Sequence, residues 1–284
     1  MQKSPMTPPM MSPVMTPFGL HLLRAMRAVV GRELHKFLRQ PSRLASALVR
    51  PLLWFVVFSA GFHNVFGVSI VPPYETYIEY KVYMVPGLLA MVALFNGMQS
   101  SLSMVYDREM GMMRLLLTAP LPRGWLLAFK LMGGTALSLL QMLVFLLISV
   151  GFGVEVEWVV FPGLLLAMFG GAMLLAALGL MLSVYIKQLE NFAGTMNFVI
   201  FPMFFISPAL YPLWKLEESG AQWLLLMAQF NPFTHVVESI RFAIVGQFNA
   251  LSGAVVLGGI VIFFTLAWWG YDPQRGWMKQ RGAA

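Results

Sequence analysis

The sequence predicts an all-α integral membrane protein with six transmembrane helices, and three observations support that fold class. Of the 284 residues, 58% are hydrophobic and only 11% are charged, whereas soluble domains have about 25% charged residues. Apolar runs long enough to cross a bilayer core of about 30 Å recur along the chain. The runs lack the alternation of a β-barrel, and backbone amides in hydrocarbon must pair within their own segment, so we expect helices.

Six apolar spans account for the long runs: residues 51–70, 82–104, 125–150, 158–186, 192–213 and 251–270. Two further apolar stretches between residues 214 and 250 are each too short to cross alone. Joining them would bury Arg241, and an arginine near a helix centre costs about 2.5–3.5 kcal/mol on insertion scales. We therefore expect a six-helix transmembrane domain over residues 43–271, followed by a cytoplasmic tail over residues 272–284.

The distribution of basic residues predicts the orientation of the chain. With six spans, sixteen of the 19 Lys and Arg residues lie on the side of the two termini, and three lie on the other. Cytoplasmic loops carry the excess of Lys and Arg, so both termini are expected in the cytoplasm of a multi-pass protein of the inner (cytoplasmic) membrane. Topology also explains the formal charge of +7, so no nucleic-acid partner is expected.

The N-terminal region divides into a tail and a basic helix. Residues 1–18 are rich in Pro and Met and lack a signal-peptide core, so we expect a disordered cytoplasmic tail. Residues 19–42 repeat apolar side chains at helical spacing, with basic side chains opposite, and Pro41 ends the pattern. This amphipathic helix suits the headgroup layer of a membrane; the alternative is packing on another cytoplasmic domain.

The longest and most charged cytoplasmic loop joins the second and third spans. It reads Tyr106-Asp-Arg-Glu-Met-Gly-Met-Met-Arg-Leu-Leu-Leu-Thr-Ala-Pro-Leu-Pro-Arg-Gly-Trp125 and predicts a short helix with Asp107 in its first turn. The pattern resembles the cytoplasmic segment of type-2 ABC (ABC-2) exporter permeases. The resemblance implies a coupling helix that docks on an ATPase subunit, and its assigned residues are Asp107, Arg108, Glu109, Met112 and Arg114.

A second match lies between the fifth and sixth spans. Residues 207–214 and 230–246 resemble the fifth-span exit and the extracellular re-entrant helices of the same family. An Asn-Pro pair at the start of the second stretch suits the N-cap and first position of a helix, and an acid and a base three residues apart can pair. That pair is either functional within the membrane or mutually compensating at the outer interface. The residues assigned to this segment are Asn231, Pro232, Glu238 and Arg241.

The resemblance covers residues 19–276 and implies how the protein works. It implies a permease homodimer bound to two copies of an ABC ATPase subunit, with ATP and Mg held by that partner and no cofactor in this chain. The implied activity is export of a hydrophobic or amphipathic substrate across the membrane, with membrane lipids in contact with the chain. The chain itself would catalyse no reaction.

Polar side chains share one face of the second span. They are spaced i, i+3, i+4 and i+7, and Gln141 lies in a similar stripe on the third span. One interpretation is a translocation path for the polar parts of a substrate, and the other is hydrogen bonding between packed helices. The residues assigned to the candidate path are Asn96, Gln99, Ser100 and Ser103.

Several function classes lack their motifs. The sequence has no P-loop, no His-Glu-x-x-His, no Gly-x-Ser-x-Gly and no cysteine, and its four histidines are dispersed. We therefore expect no catalytic, cofactor or metal site. Two alternatives stay open: an ion-gradient-driven secondary transporter, which would need ionisable residues inside the membrane, and a membrane-embedded enzyme.

Overall fold

The computed structural model describes residues 18–39, 41–61, 72–74, 78–110, 123–186 and 188–271. Ten α-helices make up the regular structure of these ranges, in agreement with the predicted fold class. They are α1 (Phe18–Leu38), α2 (Pro41–Gly61), α3 (Tyr80–Glu109), α4 (Arg123–Gly151), α5 (Phe161–Tyr185), α6 (Leu189–Phe205), α7 (Trp214–Glu218), α8 (Gln222–Phe230), α9 (Pro232–Ile244) and α10 (Ala250–Gly270).

Four of these helices, α3, α4, α5 and α10, are long and apolar enough to cross a membrane. They correspond to the second, third, fourth and sixth predicted spans. The first predicted span, residues 51–70, coincides with α2 as far as Gly61, and residues 62–70 lie outside the described residues. Four spans are therefore supported by length and composition, and the total of six stays a prediction.

The fifth predicted span is shorter in the structure than in the prediction. Residues 192–213 were expected to be one helix, but α6 ends at Phe205 and the chain turns through residues 206–213. Pro208 and Pro212 explain the early end, because a proline disfavours helical backbone at the residue before it and removes a backbone donor. The placement of the span's C-terminal end at residue 213 was therefore wrong.

Helix α1 lies where the amphipathic helix was expected. It ends at Leu38 and α2 begins at Pro41, so Pro41 separates two helices as its ring geometry favours. Arg24, Arg27 and Arg32 are exposed on α1, while the helix packs against α4 and α2. A basic face is thus left outward and the other face is used for packing.

Helices α3 and α5 form the centre of the bundle. Helix α3 contacts α2, α4, α5, α6 and α9, and α5 contacts α3, α4, α9 and α10. The two backbones approach closely at glycines: a Cβ added at Gly97 would lie 2.9 Å from the Leu175 carbonyl oxygen, and one added at Gly179 would lie 2.8 Å from the Gly97 carbonyl oxygen. Side chains at these positions would force the helices apart.

The bundle has two ends, which we name by one element each. At the α9 end, α3, α5 and α10 begin and α4 and α6 finish, and α7, α8 and α9 fill most of the interval from residue 206 to 249. At the opposite end, the Asp107 end, α3, α5 and α10 finish and α4 and α6 begin. Each end holds a cluster of charged and polar contacts.

Candidate functional site

At the Asp107 end, the last turn of α3 contacts two neighbouring helices through charged side chains. Lys130 of α4 donates to the Asp107 carboxylate with Nζ 2.8 Å from Oδ2. Arg108 donates from Nη2 to the carbonyl oxygen of Ser183, near the end of α5, at 3.1 Å. Because helix C-termini leave their last carbonyls unpaired, Arg108 caps α5 from outside. Helices α4 and α5 are thus joined to one turn of α3.

Glu109, the last residue of α3, makes the contact to α6. Its Oε1 accepts a hydrogen bond from the backbone N–H of Leu189, the first residue of α6, at 2.9 Å. Gln188, the N-cap residue of α6, gives no side-chain cap. A carboxylate from another helix therefore pairs one of the free N–H groups at this helix start, where negative charge is also favoured by the helix dipole. One turn of α3 contacts three helices.

The structure corrects the sequence interpretation of this segment. Asp107 was expected in the first turn of a separate short helix, but it lies in the last turn of α3, which runs on to Glu109. The reason is that the sequence has no Gly or Pro between Ser103 and Met110 to end the helix. Met112 and Arg114 lie outside the described residues. Their assignment to a coupling helix stays a prediction.

The polar face of the second span divides into an inward and an outward part. Asn96 is buried and donates from Nδ2 to Oε1 of Gln141 on α4. Ser100 and Ser103 donate to carbonyl oxygens of their own helix. Gln99 is exposed. Helix packing therefore explains Asn96 and Gln141, while Gln99 is the member of this face that lies on the surface of the chain.

At the α9 end, Arg241 is buried among groups from three elements. Its side chain is 2% exposed, and its guanidinium carbon lies 4.3 Å from the centre of the Tyr83 ring of α3. It pairs with Glu238 one helical turn earlier and donates from Nη2 to the carbonyl oxygen of Pro208. Burial of a charge is tolerated when paired and hydrogen-bonded in this way.

The turn after α6 is held on α3 by tyrosines as well. Tyr83 donates from its hydroxyl to the Pro208 carbonyl oxygen at 3.1 Å, and Tyr80 donates to the Leu210 carbonyl oxygen at 2.7 Å. A Cβ added at Gly87 would lie 2.5 Å from Ala209 Cα, so the turn rests directly on the α3 backbone. Hydroxyl donors and a glycine together fix this turn against α3.

Two polar atoms of the cluster have no hydrogen-bond partner among the described residues. They are the Tyr74 hydroxyl and Nε of Arg241, and both are buried. Burial raises the pKa of Tyr74, with smaller opposing effects from Arg241, which lowers it, and Glu238, which raises it. Tyr74 therefore stays protonated at neutral pH and contributes a donor beside a fixed cation.

Asn231 links the end of α6 to the start of α9. Its Oδ1 accepts from the backbone N–H of Phe233 at 3.0 Å, which confirms the predicted N-cap, with Pro232 at the first helical position. Its Nδ2 donates to the carbonyl oxygens of Met203 at 2.7 Å and Ile206 at 3.2 Å. One amide therefore caps two helices, in opposite senses.

These contacts show where the charged pair of α9 lies in the fold. The pairing of Glu238 with Arg241 is confirmed, but Arg241 is enclosed by protein and is not half of an exposed interfacial pair. The sequence analysis missed the tyrosines of this cluster. The sequence feature that could have revealed them is a group of three tyrosines at the start of an apolar span, because the O–H of a buried tyrosine needs a hydrogen-bond partner. These are Tyr74, Tyr80 and Tyr83.

The fold and these contacts define a polytopic helical membrane protein with its charged groups at the two ends of the bundle. Residues 24–245 match the family model described as ABC-2 type transporter. The chain belongs to this family, whose members are membrane permeases of ABC transporters and normally work with an ABC ATPase subunit. The resemblance seen in the sequence is thereby confirmed.

Three relatives illustrate the family. The inner membrane transport permease YadH of Escherichia coli is 26% identical over 257 residues, covering 89% of this chain and 95% of its own. The protein ycf38 of Porphyra purpurea, which carries a transport-permease name, is 28% identical over 231 residues, covering 79% and 75%. The daunorubicin resistance ABC transporter permease DrrB1 of Streptomyces coeruleorubidus is 24% identical over 227 residues, covering 78% and 72%. The chain is thus similar to proteins that are named as transport permeases.

Proposed function

We propose that this chain is the permease subunit of an ABC exporter that moves a hydrophobic or amphipathic substrate across the cytoplasmic membrane, using ATP hydrolysed by a separate subunit. The observation that supports this most directly is the last turn of α3. It contacts α4, α5 and α6, and it belongs to the segment of residues 106–125 that the family resemblance assigns to ATPase docking. The name of DrrB1, a drug-resistance permease, supports the substrate class.

The contacts of this turn suggest how ATPase work reaches the membrane helices. In the proposed mechanism, Met112 and Arg114 dock on the ATPase, and its closure displaces the segment that follows α3. Since Asp107, Arg108 and Glu109 each bind a different helix, a displacement of the turn pulls on three helices together. Their role is therefore to transmit movement within the chain, and contact with the ATPase falls to the residues beyond Met110.

The Arg241 cluster is the proposed counterpart at the outer side. It holds the turn after α6 against α3, so these elements are joined at the α9 end of the chain. The proposed dimer consists of two copies of this chain with the substrate path between them and two ATPase subunits below. Gln99 faces that path, and Asn96 supports it through Gln141. Both termini lie in the cytoplasm.

A secondary transporter is the alternative, and one observation favours it. Glu238 and Arg241 form a partly to fully buried ionisable pair within α9, and buried ionisable residues mark ion pathways in gradient-driven transporters. No comparable motif in the sequence favours a membrane-embedded enzyme.

Reconstitution separates the two candidates. The chain would be purified from its native membrane, tested for a bound ATPase, and placed in proteoliposomes with a hydrophobic dye such as a rhodamine. We expect dye movement that requires ATP and the ATPase subunit and is indifferent to proton or sodium gradients. Movement without ATP under an ion gradient, by a chain that retains no ATPase, would contradict the proposal and support the alternative.

A further inference from the structure

A cavity of about 570 Å³ lies between α5, α9 and α10 at the α9 end. Its volume is in the range of small-molecule pockets, about 300–1,000 Å³. The lining residues of α5 and α10 are apolar throughout, and they include Leu166, Ala167, Phe169, Val256, Leu257 and Ile260. This cavity is separate from the Arg241 cluster and the last turn of α3.

The polar groups of the cavity come from one side. Ser239 of α9 and the loop residues Gln247 and Asn249, which precede α10, supply its polar side chains. The Ser239 hydroxyl is buried and has no hydrogen-bond partner among the described residues. A pocket with an apolar body and a few polar groups at one margin suits a ligand with an apolar chain and a polar head.

The surroundings of the cavity indicate where its occupant comes from. Only 17% of the residues in the most apolar stretch of α10 are buried within the chain. On the cavity wall, Leu166 and Leu257 are 72% and 67% exposed. The pocket is therefore open on this side, and apolar surface on a membrane-spanning helix lies within the hydrocarbon core of the bilayer. The material that reaches the opening is therefore lipid.

Gly163 shows that the space is open at its wall. A Cβ added at Gly163 would meet no atom within 4 Å, so no packing contact among the described residues requires a glycine there. A ligand that fills the space beside residue 163 would explain why α5 has a glycine at this position.

We infer that this cavity binds one acyl chain of a membrane phospholipid, with the ester or headgroup region of the lipid at Ser239, Gln247 and Asn249. The inference needs only that the chain is inserted in a bilayer, so it goes beyond the proposed function. A bound lipid in a chain that shows no ATP-coupled transport would leave it standing.

Photolabelling tests the inference. The full chain would be placed in nanodiscs containing a small fraction of phosphatidylcholine with a diazirine on its acyl chain, and the labelled residues would be mapped by mass spectrometry. We expect labelling at Val256, which lines the cavity but is only 5% exposed. Excess unlabelled phosphatidylcholine should compete with this labelling.

Two matched variants separate the cavity from the general lipid surface. Gly163→Phe fills the cavity, and Gly258→Phe adds the same ring to the outer face of α10, where a Cβ also meets nothing within 4 Å. We expect at least a fivefold loss of Val256 labelling in the first variant and none in the second. Gly163→Leu serves if the larger ring lowers the melting temperature.

Two results would overturn the inference. One is equal Val256 labelling in both phenylalanine variants. The other is the lack of Val256 labelling in the wild-type chain, and if Gly163→Phe then also converts a dimer to monomers on size-exclusion chromatography, the cavity belongs to an interface between two copies.

Discussion

The Arg241 guanidinium and the Tyr83 ring lie 4.3 Å apart, and both side chains donate to the same carbonyl oxygen, that of Pro208. Helix α9, helix α3 and the turn after α6 are thereby joined at one buried point. Glu238 supplies the neutralising charge. Because one acceptor carries two donors, a change in any of these groups affects the other contacts.

Arg241→Leu should destabilise the protein more than any exposed basic substitution. It leaves Glu238 and the Pro208 carbonyl without their partner, and breaking a buried pair costs about 3–5 kcal/mol. The measurement is denaturant unfolding in detergent. Lys215→Met is the control, because Lys215 is an exposed residue whose Nζ lies 4.8 Å from the Trp214 ring centre, and exposed cation–π contacts contribute about 0.5–1 kcal/mol. Equal losses in the two variants would contradict burial of Arg241 as the source of its effect.

Variants of Tyr83 should follow the order of the contacts they remove. Tyr83→Phe keeps the ring below Arg241 and loses the hydrogen bond to Pro208, at about 0.5–1.5 kcal/mol. Tyr83→Leu also loses the ring, which contributes about 2 kcal/mol when desolvated. Unfolding free energies should therefore fall from wild type to Phe to Leu. A Phe variant as unstable as the Leu variant would mean that the hydrogen bond to Pro208, and not the ring beside Arg241, accounts for the stabilising effect of Tyr83.

Asn231→Asp should separate the two capping roles of this side chain. Aspartate caps a helix N-terminus as well as asparagine does, but it cannot donate to the Met203 and Ile206 carbonyls, so we expect a loss of about 1–3 kcal/mol in unfolding free energy. Asn249→Asp is the control, since Asn249 accepts from the Ser252 N–H as the N-cap of α10. That variant should be near neutral, and a similar loss in both would contradict the second role of Asn231.

The polar face of α3 can be tested by comparing its buried and exposed members. Asn96→Leu alone leaves Gln141 without its partner and should cost about 1–3 kcal/mol, whereas Asn96→Leu combined with Gln141→Leu should restore most of that stability. Gln99→Leu should leave stability unchanged and lower transport of a substrate with polar groups. Normal transport in the Gln99 variant would remove this residue from the proposed path.

The helices of the bundle could be predicted from the sequence because their signals are local. Long apolar runs gave α3, α4, α5 and α10, and the Asn-Pro pair gave the start of α9. Two boundaries were missed for local reasons of a different kind: Pro208 and Pro212 end α6 early, and the run of helix-compatible residues before Gly111 carries α3 through Asp107 to Glu109.

The contacts of both sites could not be predicted because they join residues far apart in sequence. The pairing of Arg241 with Glu238 follows from a spacing of three, but its burial depends on Tyr83 and Pro208, which reach it only through the fold. In the same way, Glu109 meets the start of α6 across 80 positions. The residue types in the sequence identified these groups as candidates. Their partners depend on how the other helices pack around α3 at the centre of the bundle.

The central claim is that the last turn of α3 carries movement from an ATPase to the membrane helices. The most direct test is the double charge reversal Arg108→Glu with Glu109→Arg, reconstituted with the ATPase subunit, and the ratio of substrate moved to ATP hydrolysed. We expect normal membrane insertion, retained hydrolysis and at least a tenfold fall in that ratio, while the matched reversal Lys215→Glu with Glu218→Lys on α7 leaves it unchanged. Full coupled transport in the Arg108 and Glu109 variant would contradict the account.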